Sequence, residues 1–266
     1  MRQIILSEIY IYPVKSLGGI SVTSALAEER GLKYDRRFLL VDEHNMFMTQ
    51  RDFPEMALLK LSFEENGFKV FNSKDGSQII LPFVSDSTEI VSVNIWDDVC
   101  NAVKVNHELD NWFTKALNKK CSVVYMPDEE ERIVEKKYIN DNHIVSFADA
   151  YPYLIIGQSS LDDLNTRLKT PLPINRFRPN FVFTGGKPYE EDDWKDFKIN
   201  NIDFRAVKPC ARCVITTTNQ NTAERNSEPL KTLSLYRKID NKVMFGMNVI
   251  CKNNGTVSVG DRVFLP

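Results

Sequence analysis

Alternating apolar and polar residues recur in short runs from residue 4 to residue 95, the two-residue period of strands that bury one face. The runs Ile4–Tyr12, Ile20–Ala25, Phe38–Asp42, Met46–Thr49, Ala57–Phe63, Phe68–Phe71, Gln78–Leu81 and Ile90–Ile95 predict strands. Turn-forming clusters separate them, among them Glu43-His44-Asn45 and Asn72-Ser73-Lys74-Asp75-Gly76. Asn66-Gly67 between two alternating runs is the strongest hairpin signal, because both residues tolerate the positive φ of a tight turn. Evenly spaced strands without a long helix predict an antiparallel barrel or sandwich.

Helical spacing first appears in Glu108–Lys119, where Leu109, Trp112, Phe113, Ala116 and Leu117 share one face. Cys121–Met126 reads as a strand. The charged stretch from Pro127 to Asn142 has little apolar content and reads as an exposed connection or an active-site flap. Ser159–Lys169 predicts a second helix with Leu161, Leu164 and Leu168 on one face, a capping-box-like start at Ser160 and Asp163, and a stop at Pro171 and Pro173. Short strands return from Phe181 to Leu265, with a helical turn expected at Thr232–Tyr236. The pattern describes a mainly β (α+β) chain in two parts, residues 1–122 and 123–266.

Composition narrows the function classes. Among 266 residues, 34 Lys plus Arg balance 36 Asp plus Glu for a net charge of −2, with no basic run. Binding nucleic acid by counterion release is therefore excluded, and membrane-surface binding gains no support. No segment approaches the ~20 apolar residues of a membrane span, and no secretory leader is visible. The three histidines, His44, His107 and His143, are poorly spaced for a three-histidine zinc site. Five cysteines, an odd count, argue for reduced thiols and a cytoplasmic protein rather than a disulfide framework. Phosphate-loop, dinucleotide and nucleophile-elbow motifs are all missing.

Two sets of residues suggest chemistry. Lys208-Pro209-Cys210-Ala211-Arg212-Cys213 joins two strand-like runs. On spacing alone, structural packing and thiol chemistry stay equally open for this C-x-x-C, although the flanking cations favour a thiolate. The second set is cationic: Lys15-Ser16 before Gly18-Gly19, Arg36-Arg37, Arg51, and Arg176-Phe177-Arg178 before Asn180. Single arginines are usually solvated or ion-paired, but several at strand ends can converge on one anion, which a guanidinium grips with two hydrogen bonds.

Seven strings, in order, resemble the MOSC-domain proteins (molybdenum cofactor sulfurase C-terminal domain). The resemblance is to the class with an N-terminal MOSC β-barrel region, which includes amidoxime-reducing components. They are Tyr12-Pro13-Val14-Lys15-Ser16, Asp35-Arg36-Arg37-Phe38-Leu39-Leu40-Val41, Phe147-Ala148-Asp149-Ala150-Tyr151-Pro152, Phe177-Arg178-Pro179-Asn180, Cys210-Ala211-Arg212-Cys213, Glu228-Pro229-Leu230 and Val259-Gly260-Asp261. The resemblance implies an N-terminal barrel region followed by a MOSC β-barrel domain with a few helices. It implies molybdenum cofactor (Mo-molybdopterin), with Cys213 as the metal's thiolate ligand and Cys210 as its neighbour. It puts Lys15, Ser16, Arg37 and Arg178 on the pterin and its phosphate, Asn180 and Arg212 nearby, and Asp149 close to the metal as a catalytic group or a backbone cap. A pyridoxal phosphate-binding description of such domains comes with the same resemblance.

The chain departs from its relatives at Ala148 and Ala150, where mitochondrial members carry hydroxyls, and at Asn248, which stands for a tyrosine near the metal. The implied activity is oxygen removal from N-hydroxylated small molecules such as amidoximes, hydroxylamines and N-hydroxylated bases. No C-x₄-C-x₂-C run is present, so a separate flavin or iron–sulfur reductase is expected to supply electrons. A non-catalytic carrier of the cofactor or of sulfur is the alternative, and a structural barrel with a fortuitous C-x-x-C is the third reading.

Overall fold

A computed structural model describes residues 3–139 and 141–265. Its centre is a closed barrel of seven strands: Ile4–Ile11 (β1), Tyr153–Gly157 (β2), Phe181–Thr184 (β3), Asp196–Ile199 (β4), Ile202–Arg212 (β5), Lys242–Cys251 (β6) and Arg262–Phe264 (β7). The order around the barrel is β2-β3-β1-β7-β4-β5-β6, and β6 pairs back onto β2. Every pairing is antiparallel except β2–β3, which is parallel and is joined through the helix Gln158–Thr166 (α1). The expected mainly β fold, a barrel with few helices, is what forms.

The two-residue period explains which side chains fill the barrel. Leu6, Ile9, Tyr153, Ile155, Phe181, Phe183, Phe197, Ile199, Phe204, Met247 and Val249 form one buried cluster. Alternate residues Leu154, Ile156 and Val182 face outwards and pack against Leu161 and Leu164 of α1. Both faces of β2 and β3 are thus covered, which is why YLIIG and FVF read as continuous apolar runs.

Much of the chain from Phe38 to Tyr125 builds a second core. One sheet joins Phe38–Val41, Ser122–Tyr125, Asp98–Lys104 and Ile90–Ile95, and a meander joins Leu59–Glu64, Gly67–Asn72 and Gln78–Pro82. A helix at His107–Leu117, capped by Asn106 through a 2.8 Å bond from the Leu109 amide, buries Leu109, Phe113 and Leu117 against them.

Several expectations need correction. The hairpin at Asn66-Gly67 forms, but Glu65 and Asn66 make the turn; Gly67 is the first paired residue, where a Cβ would meet the Leu81 oxygen at 2.2 Å. Met46–Thr49 makes only isolated bridges, from Met46 to Asn94 and from Phe47 to Val41. Asp98–Lys104 is a strand despite its mixed pattern, because it lies between two partners. The capping box at Ser160 and Asp163 does not form: Gly157 is the N-cap, Ser160 donates to buried Glu191 at 2.9 Å, and Asp163 pairs with Arg167 at 3.0 Å. The charged stretch is not a free connection, since Arg132, Val134 and Ile139 are buried; Asn140 lies outside the described residues. No helix among the described residues is long and apolar enough to cross a membrane.

β5 bulges twice against β6, between Ala206 and Lys208 and between Pro209 and Ala211. Bulges re-aim side chains, and here the second falls on Cys210 itself, three residues before Cys213. Gly246 stands opposite with φ +77, and a Cβ there would meet Ile156 Cγ1 at 2.6 Å and the Ile155 oxygen at 3.0 Å. Gly246→Ala is expected to cost about 2–4 kcal/mol from backbone strain plus overpacking, measured as a shift in denaturant midpoint at unchanged slope.

Candidate cofactor site

Five chain segments end around one cleft of about 250 Å³. They are the loop after β1 (Lys15, Ser16), the Asp35-Arg36 turn, the Ala148–Tyr151 segment, the Phe177–Asn180 segment before β3, and the end of β5 (Lys208–Cys213), with Asn248 on β6 beside it. Of the sequence candidates, Cys213, Asp149, Lys15, Ser16, Arg178, Asn180, Arg212 and Asn248 all line this cleft.

Arg37 does not. Its guanidinium turns away to Asp128 and the Met126 carbonyl, both at 2.6 Å, and lies over Tyr125. Arg36 takes the place in the cleft. Its φ of +49 is a left-handed conformation that swings consecutive arginines apart, which a strand-like reading of Asp35–Val41 does not anticipate. Ser16 (φ +67) and Arg178 (φ +54) share this conformation. Three such residues around one cleft mark stored backbone strain, each of order 1–3 kcal/mol, that the surrounding contacts must hold.

Those contacts are visible. The guanidinium groups of Arg36 and Arg178 each lie over the Tyr12 ring, both 4.3 Å from its centroid, so one phenol supports two cations. Burial pushes Tyr12 up to about 12, outweighing the two cations, so its hydroxyl stays a donor, here to the Pro179 carbonyl. Arg36 also pairs with buried Asp35 at 2.6 Å and donates to Asn180 Oδ1 at 3.1 Å. Asn180 donates to the Tyr10 carbonyl and accepts from the Leu154 amide, so it ties β1 to β2 at the rim. Buried Gln50 donates to the Ser16 carbonyl at 2.6 Å and is bonded to Gln220, which braces the first loop.

Lys15 and Asp149 form the floor. Lys15 Nζ donates to Asp149 Oδ1 at 2.6 Å and to the Phe147 carbonyl at 2.7 Å. Burial pulls Lys15 down to about 8, against the pull of Asp149. For Asp149, burial would raise the carboxyl, but Lys15 and then Arg51 outweigh it and hold it well below the usual carboxylate range. Its side chain is 53 % exposed to the cleft.

Two positioning residues, Trp96 and Arg132, escaped the sequence reading, and a third, Arg51, stood there only as one of several cationic candidates. Arg51 reaches Asp149 at 3.3 Å while stacked on Trp96 at 4.3 Å, and Trp96 Nε1 donates to Asp149 at 3.4 Å. Arg132, inside the charged stretch, donates to the carbonyls of Ser146, Ala148 and Asp149 and pairs with Asp98 at 2.8 Å. For the two arginines the only sequence signal was a basic residue in a polar segment, which does not tell an anchor from a solvated charge.

The end of β5 carries the thiols. Arg212 Nη1 donates to Cys210 Sγ at 3.0 Å and its Nη2 to the Phe177 carbonyl. Cys213 leads into a single helical turn, Val214–Thr217, where its carbonyl accepts from the Thr216 amide and hydroxyl. Both cysteines are unpaired. Lys208 is held at the rim by Glu135 at 2.7 Å, between Tyr138 and Tyr151. Among the described residues no cluster of three or more His, Cys, Asp or Glu side chains is placed to hold a metal.

Arg51 Nη1, Arg178 Nη2 and Arg212 Nε are buried in the cleft wall without a hydrogen-bond partner. Buried donors are normally satisfied, so three orphans beside Lys15 and Ser16 call for an oxygen-rich anionic group. The donor set and an unpaired thiol therefore fit a phosphate-bearing cofactor.

A seven-stranded barrel with a cationic, thiol-bearing cleft defines the class. Residues 3–120 match the family described as "MOSC N-terminal beta barrel domain", and residues 142–264 match "MOSC domain". "Mitochondrial amidoxime reducing component 2" of Bos taurus is 30% identical over 97% of this chain and 82% of its own length. "Mitochondrial amidoxime-reducing component 1" of Mus musculus is 29% identical over 97% and 81%. "Molybdenum cofactor sulfurase" of Solanum lycopersicum is 30% identical over 94% of this chain but 33% of its own length. The chain belongs to the MOSC-domain family, in the class with an N-terminal MOSC barrel.

Two outcomes are expected. Lys15 is charged below about 8 and neutral above, so affinity for inorganic pyrophosphate should fall as pH rises through 8; Lys15→Met should flatten that fall in calorimetric titrations from pH 6 to 10. Arg132→Met strands three carbonyls and should lower unfolding stability by about 3 kcal/mol in denaturant melts.

Proposed function

We propose that this chain is a molybdenum-cofactor-dependent oxidoreductase that reduces N-hydroxylated small molecules, amidoximes, hydroxylamines and N-hydroxylated bases among them. The observation that carries the reading is the unpaired Cys213 thiol in the same cleft as three orphaned guanidinium nitrogens. Two relatives named as amidoxime-reducing components match nearly the whole chain, which supports the reaction class.

Cys213 would supply the protein's thiolate to the metal. The resemblance to the family implies that the remaining sulfurs would come from the cofactor itself. Lys15, Ser16, Arg36, Arg51, Arg178 and Arg212 would hold its phosphate and pterin, with Asn180 and Asn248 on the cleft wall. Arg37, bound to Asp128, would act outside the cleft. When bound, the cofactor supplies two-electron, oxygen-accepting chemistry.

The chain's own groups would manage position and protons. Lys15 holds a proton 2.6 Å from Asp149 Oδ1, and with a pKa near 8 it can release and recover that proton around neutrality. Asp149, kept ionised, keeps this proton at the cleft floor and orients Arg51. Electrons would come from a separate flavin or iron–sulfur reductase, and the protein would work in the cytoplasm. No contact with nucleic acid or membrane is part of this reading.

A second reading is a carrier of cofactor or sulfur, favoured by the match to a molybdenum cofactor sulfurase and by Cys210 and Cys213 lining the same cleft. Elemental analysis and turnover separate the two. Protein from a cofactor-competent host should contain about one molybdenum per chain and reduce benzamidoxime with an artificial electron donor, and Cys213→Ser should lose both. Molybdenum without turnover supports the carrier; equal metal content in Cys213→Ser overturns both.

A further inference from the structure

Among the described residues four cationic side chains are buried: Lys15, Arg37, Arg132 and Arg176. The first three each have a carboxylate within 2.8 Å. Arg176, 3% exposed, has none; its Nε donates to the Thr216 carbonyl at 2.8 Å and its Nη2 to the Glu228 carbonyl at 3.4 Å. Burial lowers its pKa. A buried cation without a counter-ion is costly, so the fold carries an uncompensated charge at this point.

That charge faces a second cavity, of about 650 Å³, distinct from the cofactor cleft. Lys169 and Lys231 also line it, and among the described residues neither forms an ion pair. Asn219 and Asn226 add amide donors. One carboxylate shares the cavity, Glu228, and its Oε2 accepts from the Thr232 amide. Arg176 and Arg178, two residues apart, thus serve opposite sides of one wall, and Thr216 belongs to the cleft side.

We propose that this cavity is a second oxyanion site, whose ligand is a phosphate group on Arg176, Lys169 and Lys231. Three unpaired cations suit a dianion better than a monocarboxylate, and the guanidinium fork matches phosphate oxygens. The proposal is independent of the cofactor reading. Occupancy would bear on the cleft through one link: Arg176 holds the Thr216 carbonyl, and Thr216 holds the Cys213 carbonyl.

The test is an amide-resolved NMR titration of the full chain with inorganic phosphate, chloride balancing ionic strength, and glycerol phosphate in parallel. Shifts at Asn219, Asn226 and Thr232 are expected, saturable and separate from any at Lys15 and Ser16. A larger effect of glycerol phosphate would point to a phosphate monoester, and of inorganic phosphate to the free ion; either supports the site. Arg176→Met should weaken this second binding about tenfold or more, and Lys169→Ala combined with Lys231→Ala should weaken it several-fold without disturbing the fold. If Arg176→Met fails to fold, the exposed-lysine variant decides. Shifts confined to the cofactor cleft, equal shifts with chloride alone, or unchanged affinity in the lysine variant would overturn the proposal.

Discussion

The site depends on where the first strand goes. β1 lies between β3 and β7, strands from the far end of the chain, and the barrel cannot close without it. Its chain continues directly into Tyr12–Ser16, so closure delivers Lys15 to Phe147 and Asp149 and Tyr12 to Arg178. The apolar interior that drives closure, with Leu6 and Ile9 packed among Phe181, Phe183 and Phe204, thus also sets the register of the cleft. A one-residue slip of β1 would turn Leu6 and Ile9 outwards and withdraw the lysine together.

Around that closure the protein concentrates positive charge and then manages it unevenly. Lys15, Arg36 and Arg51 are tethered to Asp149 or Asp35, while Arg178 and Arg36 lean on the face of Tyr12. Several donors in the wall are nevertheless left unsatisfied, and Ser16, Arg36 and Arg178 hold left-handed backbone. A cleft of this kind is preorganised for an anion: unmet donors and backbone strain are maintained by the stability of the barrel. The same logic, applied to Arg176, is what separates that residue from the other buried cations.

The charged stretch after Met126 shows how polarity misleads. Its net composition reads as solvated, yet Arg132 is buried and gathers three carbonyls of the segment that presents Asp149, while Val134 and Ile139 pack with Val145, Tyr151 and Ile250. Glu135 and Tyr138 then fix Lys208 at the rim. The segment is part of the wall of the cleft. A long side chain buried by its guanidinium carries no period that a sequence pattern can register.

Most strands, the helix after Asn106 and the mainly β class were legible in the sequence, because strand and helix periods are local consequences of which face meets the core. The thiol pair and most of the cationic residues were legible too, through short strings that keep their order along the chain. Three things were decided only by tertiary structure. Arg36, not Arg37, enters the cleft, because a left-handed residue breaks the alternation that would have told them apart. Ser160 abandons a local cap for the buried carboxylate of Glu191, a partner 31 residues away. Arg51, Trp96 and Arg132 gain roles around Asp149 only when distant loops meet. Periodicity reports burial against an averaged core, whereas a site is a set of specific distances between residues far apart in the chain, and those exist only once the barrel has closed.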